Sequence, residues 1–193
     1  GFAELLEHGD LDEETQKKAY RIIKTQADRL SGLIASIINF NELDNDELPC
    51  YDCDVALAAR ETAESLRADI EGRGLTLTVD AEEAVNVPTR TERLAEIFGN
   101  LIRNAIRYNK PGGTVTVTLN IDRFEVADTG IGISEENLNT VFRRFFTVDK
   151  SHSGKIGGFG LGLAMVKKIC QREGWSISVK SKEGEGSTFT VKF

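Results

Sequence analysis

Glu96-Ile97-Phe98-Gly99-Asn100-Leu101-Ile102-Arg103-Asn104-Ala105-Ile106-Arg107-Tyr108 decides how this chain is read. At about 100° of rotation per residue, Glu96, Asn100, Arg103, Asn104 and Arg107 share one helical stripe. Leu94, Ile97, Phe98, Leu101, Ile102 and Ala105 take the opposite side, so a helix from about Arg90 to Tyr108 is expected to lay that side on a sheet. Taken alone, the stripe could be a solvated face. Asn is a mediocre helix former, however, and two of them one turn apart are unusual there. A carboxamide oxygen is also a suitable ligand for Mg²⁺.

Two glycine clusters follow. Asp128-Thr129-Gly130-Ile131-Gly132-Ile133 ends a strand in a turn where backbone can approach a ligand closely. Gly157-Gly158-Phe159-Gly160-Leu161-Gly162-Leu163 opens a helix expected over Leu161 to Glu173, whose first amides and dipole can hold phosphate. Between them Arg143, Arg144, Lys150, His152 and Lys155 lie among Ser and Gly residues, the composition of a basic lid. The pattern is neither a dinucleotide fingerprint nor a phosphate-binding loop ending in Gly-Lys-Ser/Thr. An aspartic protease needs two Asp-Thr-Gly turns, and one chain carries one here.

Outward from this centre, alternation predicts strands at 75–79, 115–119, 123–127, 175–180 and 188–191, with turns at Asn120-Ile121-Asp122 and Gly184-Glu185-Gly186-Ser187. A helix is expected over Ala56 to Ile70. Thr89-Arg90-Thr91-Glu92 fits a capping box before the Asn stripe. Helices and mostly antiparallel strands without strict alternation point to an α+β fold, a two-layer α/β sandwich.

Asp12 to about Leu43 reads as one long helix with a seam of Ala19, Ile23, Ala27, Leu30, Ile34 and Ile37, widened by Ile22, Leu33 and Ile38. Such a seam suits a helical hairpin paired with a second copy in a four-helix bundle, or packing on its own domain. The polar segment Asn39 to Pro49 reads as a linker, dividing the chain into 1–46 and 47–193.

With 193 residues the chain can bury a real core, and its net charge of −7 argues against a general nucleic-acid binder. Three cysteines do not make a disulfide framework, and a reducing, cytoplasmic setting fits them best. Cys50-x-x-Cys53 reads as two small residues leading into a strand. No apolar run approaches membrane-spanning length. Gly1 stands in what looks like mid-helix, so the chain reads as part of a longer protein, one that could itself be membrane-anchored.

Together these residues resemble the ATP-binding domain of sensor histidine kinases, within the superfamily shared with type II topoisomerases, heat-shock chaperone ATPases and mismatch-repair ATPases. Asn100 to Tyr108 resembles the family's N box, Asp128 to Ile133 its first glycine box, Phe142 to Phe146 its F box, Gly158 to Leu163 its second glycine box and Gly184 to Phe189 a last one. The resemblance covers about 140 residues, and the helices before Leu43 resemble the end of the dimerisation and phosphoacceptor hairpin.

The resemblance implies an ATP and Mg²⁺ site and a phosphotransfer to histidine, passed on to an Asp of a response-regulator receiver domain. Asp128 would accept from the adenine amine, with Thr188 beside it through water, over the turn of Gly130, Gly132 and Ile133. Tyr108 and apolar neighbours would hold the ring. Asn104, with Asn100, would hold Mg²⁺. Arg107, Arg144 and Lys150 would meet phosphate oxygens, Phe145 would sit in the lid, and Gly158, Gly160, Leu161 and Gly162 would form the cradle. Glu96 and Asn100 are the catalytic candidates, Glu96 orienting a reactant. A homodimer through the hairpin is implied as well.

The chain departs from the family at Arg90, where Asp is usual, and at Thr147 and His152, where arginines are frequent. Those lid changes leave room for a nucleotide-sensing scaffold that binds ATP or ADP without transferring phosphate. An ATPase of the topoisomerase or chaperone kind would place an acidic base where Asn100 stands. The phosphoacceptor is expected upstream of Gly1, and neither His8 nor His152 is assigned that role.

Overall fold

The computed structural model describes residues 12–43, 49–81, 85–147 and 159–193. The chain divides into two compact units, Gly1–Asn45 and Asp46–Phe193.

In the first unit α1 runs from Glu13 to Glu42. Asp12 caps it, accepting from the Thr15 amide at 2.9 Å and the Thr15 hydroxyl at 2.7 Å. Those two bonds, the amide's first, hold the Asp12 carboxyl below its ordinary range. Glu13 and Glu14 add favourable charge at the helix N-terminus. Tyr20, Leu30, Ile34 and Ile38 are exposed, and among the described residues of this helix Ala19 alone is buried. Its apolar seam is therefore covered at Ala19 and open along Ile23, Leu30, Ile34 and Ile37.

The second unit holds β1 (Tyr51–Asp54), α2 (Val55–Ser65), α3 (Arg67–Gly72), β2 (Thr76–Ala81), β3 (Asn86–Thr89) and α4 (Thr91–Arg107). It continues with β4 (Thr114–Asn120), β5 (Arg123–Asp128), the short α5 (Glu135–Leu138), α6 (Gly162–Glu173), β6 (Ser176–Lys182) and β7 (Gly186–Lys192). Five strands form one sheet in the order β2-β4-β5-β7-β6, in which β2 and β4 are parallel and the other pairs antiparallel; β1 and β3 form a separate antiparallel pair.

One face of the sheet carries Val115, Val117, Phe124, Val126, Phe189 and Val191, all buried. Leu94, Ile97, Phe98, Leu101 and Ile102 of α4 are also fully buried, and Phe98 meets Phe124 with ring centroids 4.4 Å apart. Helices α2 and α6 pack on either side of α4, completing the helical layer. The opposite face is polar, with Thr78 facing Thr116 at 3.5 Å and Thr190 facing Glu125 at 3.4 Å. The two-layer α/β sandwich expected from the alternation is what forms.

Three local expectations are corrected. The helix over 56–70 is broken at Leu66 into α2 and α3. Thr62 and Ser65 direct their hydroxyls at the carbonyls of Ala58 and Thr62, competing with the helix ladder just before the break. The capping box does not form: Arg90 is the N-cap of α4 and makes no side-chain cap bond. Thr89 instead donates its hydroxyl to Glu173 at 2.6 Å. Strand β3 was not foreseen, because Pro88 lies inside it; a two-stranded edge tolerates a residue that cannot donate.

Glu173, at the end of α6, also forms an ion pair with Arg93 at the start of α4, and both side chains are almost wholly buried, at 4% and 6% exposure. Cys50 is exposed, while Cys53 is buried with its thiol toward the Thr89 carbonyl at 3.4 Å. Burial, with a smaller contribution from the Glu173 carboxylate, pushes the Cys170 thiol up to about 12, so it packs as an inert apolar group.

Candidate nucleotide-binding site

The polar stripe of α4 is half-buried at Glu96, Asn100, Asn104 and Arg107, and exposed at Arg103. Asn100 donates its amide nitrogen to the Glu96 carboxylate at 3.0 Å and to the Glu96 carbonyl at 2.8 Å. Both bonds use the donor end of the carboxamide. Its oxygen points toward α6, where a Cβ on Gly162 would lie 2.8 Å away. Helix α6 begins there with Leu161 as N-cap and no side-chain cap bond. Its N-cap residue therefore supplies no side-chain acceptor to the first amides, which lie beside the Asn stripe.

At the other end of the stripe, α4 stops at Tyr108, whose carbonyl accepts from the Ile131 amide at 3.0 Å. Arg73 donates to the carbonyls of Ile106 and Arg107, both at 3.3 Å, placing a cation on the negative end of the helix. Asp128, the last residue of β5, accepts from the Gly130 amide at 2.8 Å. The Thr129 hydroxyl accepts from the Thr114 amide at 2.8 Å, so the turn is tied to both α4 and β4. Burial pushes the Asp128 carboxyl above its ordinary value of 3.8, opposed by the amides of Gly130 and Ser187.

The same turn leans on the β6–β7 connection. Gly184 donates its amide to the Ile131 carbonyl at 2.7 Å, and the Ile133 amide donates to the Ser181 hydroxyl at 2.8 Å. Gly132 has φ +69°, and a Cβ there would stand 2.0 Å from the Lys182 carbonyl oxygen, so both conformation and space demand glycine.

Phe145 takes φ +62°, uncommon for a bulky residue, and donates its amide to the Gly160 carbonyl at 2.9 Å. Gly160, at φ +68°, is pressed against the Phe146 carbonyl. This pairing closes the chain between the F box and the second glycine cluster. Phe145 itself is 60% exposed and Arg144 is exposed. Lys150, His152 and Gly158 lie outside the described residues, as does His8.

The structure thus brings Asn100 to Gly162, Tyr108 to Asp128, Gly130 and Ile131, and Phe145 to Gly160. It does not place Thr188 beside Asp128. In the antiparallel register Thr188 faces Ala127 on the open polar side of the sheet, whereas Ser187 faces Asp128 on the helical side. The period of two explains the error: Phe189 and Val191 are core residues, so Ser187, not Thr188, shares their face. Ser181 was missed for the same reason, and its hydroxyl lies 2.9 Å from that of Ser187. Arg73 gave no sequence signal, since the carbonyls it meets come from a distant helix.

A half-buried carboxylate at a strand end, a helix N-terminus whose N-cap makes no side-chain bond and a stripe of carboxamides between them lie at one end of this α/β sandwich. A family model described as "Histidine kinase-, DNA gyrase B-, and HSP90-like ATPase" matches residues 89–193, and the chain belongs to that family. Its similarity extends to sensor histidine kinases. It is 34% identical over 187 residues to the sensor-like histidine kinase SenX3 of Mycobacterium tuberculosis, covering 93% of this chain and 45% of that protein. It is 32% identical over 185 residues to the phosphate regulon sensor protein PhoR of Pseudomonas aeruginosa, covering 91% of this chain and 41% of that one. The chain therefore spans less than half the length of these relatives. Among solved structures, full-length ShkA in complex with AMPPNP superposes with a TM-score of 0.75 at 26% identity, covering 97% of this chain and 40% of that one. The chain carries the ATP-binding catalytic core of this class of kinases. No helix among the described residues is long and apolar enough to cross a membrane.

Proposed function

We propose that this chain binds Mg-ATP and passes the γ-phosphoryl group to a histidine of a dimerisation hairpin, from which it moves to an aspartate of a response-regulator receiver domain. The observation that supports the reading best is the position of Asp128, half-buried yet ionisable at the end of β5, with Ser187 opposite and the end of α4 beside it. A carboxylate there accepts from an exocyclic amine and pairs poorly with a carbonyl. The stripe of α4 then runs from the base end toward the uncapped N-terminus of α6, which suits the phosphate chain.

The residues fit a hard divalent cation. Asn100 spends its donor end on Glu96 and keeps its oxygen toward Gly162, and Asn104 lies one turn further along the same face. Asn104 and Asn100 would hold Mg²⁺, which when bound neutralises charge on the phosphates. Arg107 and Arg144 offer further positive charge, and Lys150 is assigned to the same task. In the transfer, an imidazole nitrogen forms a bond to the γ-phosphorus, the bond to the β–γ bridging oxygen breaks, and ADP departs with that electron pair. Glu96 is assigned to orient a reactant, and the bond from Asn100 to one of its oxygens keeps the two side chains in register.

The open seam of α1 supports a homodimer through paired hairpins, with the phosphoacceptor presented by that bundle, and the domains divide as 1–46 and 47–193. The ATP substrate and the three free cysteines support a cytoplasmic location. Incubation of the full-length protein with γ-labelled ATP and Mg²⁺ should give an acid-labile, alkali-stable label on protein that a receiver domain then removes. Nucleotide binding without any such label would overturn the transfer.

A further inference from the structure

The hydroxyl of Ser181, at the end of β6, has three polar neighbours. The Gly186 carbonyl lies 2.7 Å away, the Ile133 amide 2.8 Å and the Ser187 hydroxyl 2.9 Å. A hydroxyl has one proton and two acceptor lone pairs. A carbonyl has no proton to give, so Ser181 must donate to Gly186. The Ile133 amide can only donate, so it takes one lone pair of Ser181. What remains for Ser187 is the second lone pair, and Ser187 must be the donor of that bond.

The partners hold this arrangement firmly. Gly186 is wedged against the Asp128 carbonyl, where a Cβ would stand 2.0 Å from the oxygen, so its own carbonyl cannot drift from Ser181. Ile133 belongs to the turn that Gly184 and Lys182 fix from the other side. Ser187 pairs directly with Asp128 across the ladder and with Ser181 on its other flank. With its proton committed to Ser181, the Ser187 oxygen turns only lone pairs toward Asp128.

We propose that Ser181 is a positioning residue that fixes the hydrogen-bond polarity of Ser187, so that the side chains of Asp128 and Ser187 offer acceptors only and select a 6-amino purine over a 6-oxo purine. This rests on the adenine-nucleotide reading of the site. An exocyclic amine finds acceptors there, whereas a 6-oxo group meets their lone pairs, the neighbouring amides of Gly130 and Ser187 being drawn to the Asp128 carboxylate.

The test compares Mg-ATP with Mg-ITP, which differ at the 6-position, by titration of the wild-type chain and its variants. Ser181→Ala frees the Ser187 proton and should reduce the ATP-to-ITP affinity ratio about tenfold, the size of one hydrogen bond to a charged or polar ligand group. Ser181→Thr keeps the hydroxyl and should restore the ratio. Ser187→Ala leaves the contacts to Gly186 and Ile133 intact and should reduce the ratio similarly, which keeps the test open if Ser181→Ala folds poorly. A purely structural role would weaken both nucleotides equally; an unchanged ratio in Ser181→Ala and Ser187→Ala would overturn the proposal. Wild-type protein that binds neither nucleotide would instead bring down the adenine reading itself, together with what rests on it.

Discussion

The two ends of α4 treat polar residues in opposite ways. At its start, Arg93 is closed inside the fold, paired with Glu173, which also accepts from Thr89. At its far end, Glu96, Asn100, Asn104 and Arg107 stay half-buried, and Asp128 stands nearby with its carboxyl pushed up by burial. The first cluster satisfies its charges internally and holds α4 against α6. The second leaves acceptor capacity on the Asn100 oxygen and the Asp128 carboxylate to be completed by something else. One helix thus carries a structural lock and a ligand face, and the difference lies in where the partners of each polar group come from.

The sharpest way to break the comparison is at the lock. Glu173→Ala should leave the Arg93 cation buried and cost about 3–5 kcal/mol of stability, read by denaturant unfolding, while the folded fraction binds nucleotide with unchanged affinity. A parallel loss of affinity would mean that the lock belongs to the site. Asp128→Asn should do the reverse, weakening ATP by about 1–3 kcal/mol in a titration while unfolding at an equal or higher denaturant concentration. Gly162→Ala comes next. Its Cβ would crowd the Asn100 oxygen, a side-chain atom that can shift, so phosphate-dependent binding should fall severalfold with AMP affinity retained.

The smallest effect is on pH. Because the Asp128 carboxyl is raised, its proton is held more tightly in the fold than in the unfolded chain. Its contribution to stability is present below the unfolded value and is lost as pH rises through the folded one. Adenine affinity should run the other way, falling as pH drops through the same window above 3.8, and Asp128→Asn should flatten both profiles.

Much of this was legible in sequence because it rests on periodicity. The 3.6-residue stripe of α4 and the alternation of β4, β5 and β7 set the layers, and the glycine clusters marked where backbones meet. The lock at Arg93 was not legible: an arginine three residues into a helix looks like a solvated one, and its partner lies eighty positions away. The exchange of Thr188 for Ser187 was a register question that the spacing of Phe189 and Val191 could have answered. The capping box at Thr89 had the right residues, and a distant buried carboxylate outcompeted the local backbone for the hydroxyl.

The bond from the Phe145 amide to the Gly160 carbonyl joins the end of the F box to the start of the second glycine cluster. Once these two points are tied, the length of chain between them becomes nearly independent of the fold. Doubling a loop whose ends already meet costs only about 0.6 kcal/mol in closure entropy. Lengthening the chain between those two positions should therefore cost little stability, which denaturant unfolding of an insertion variant would read.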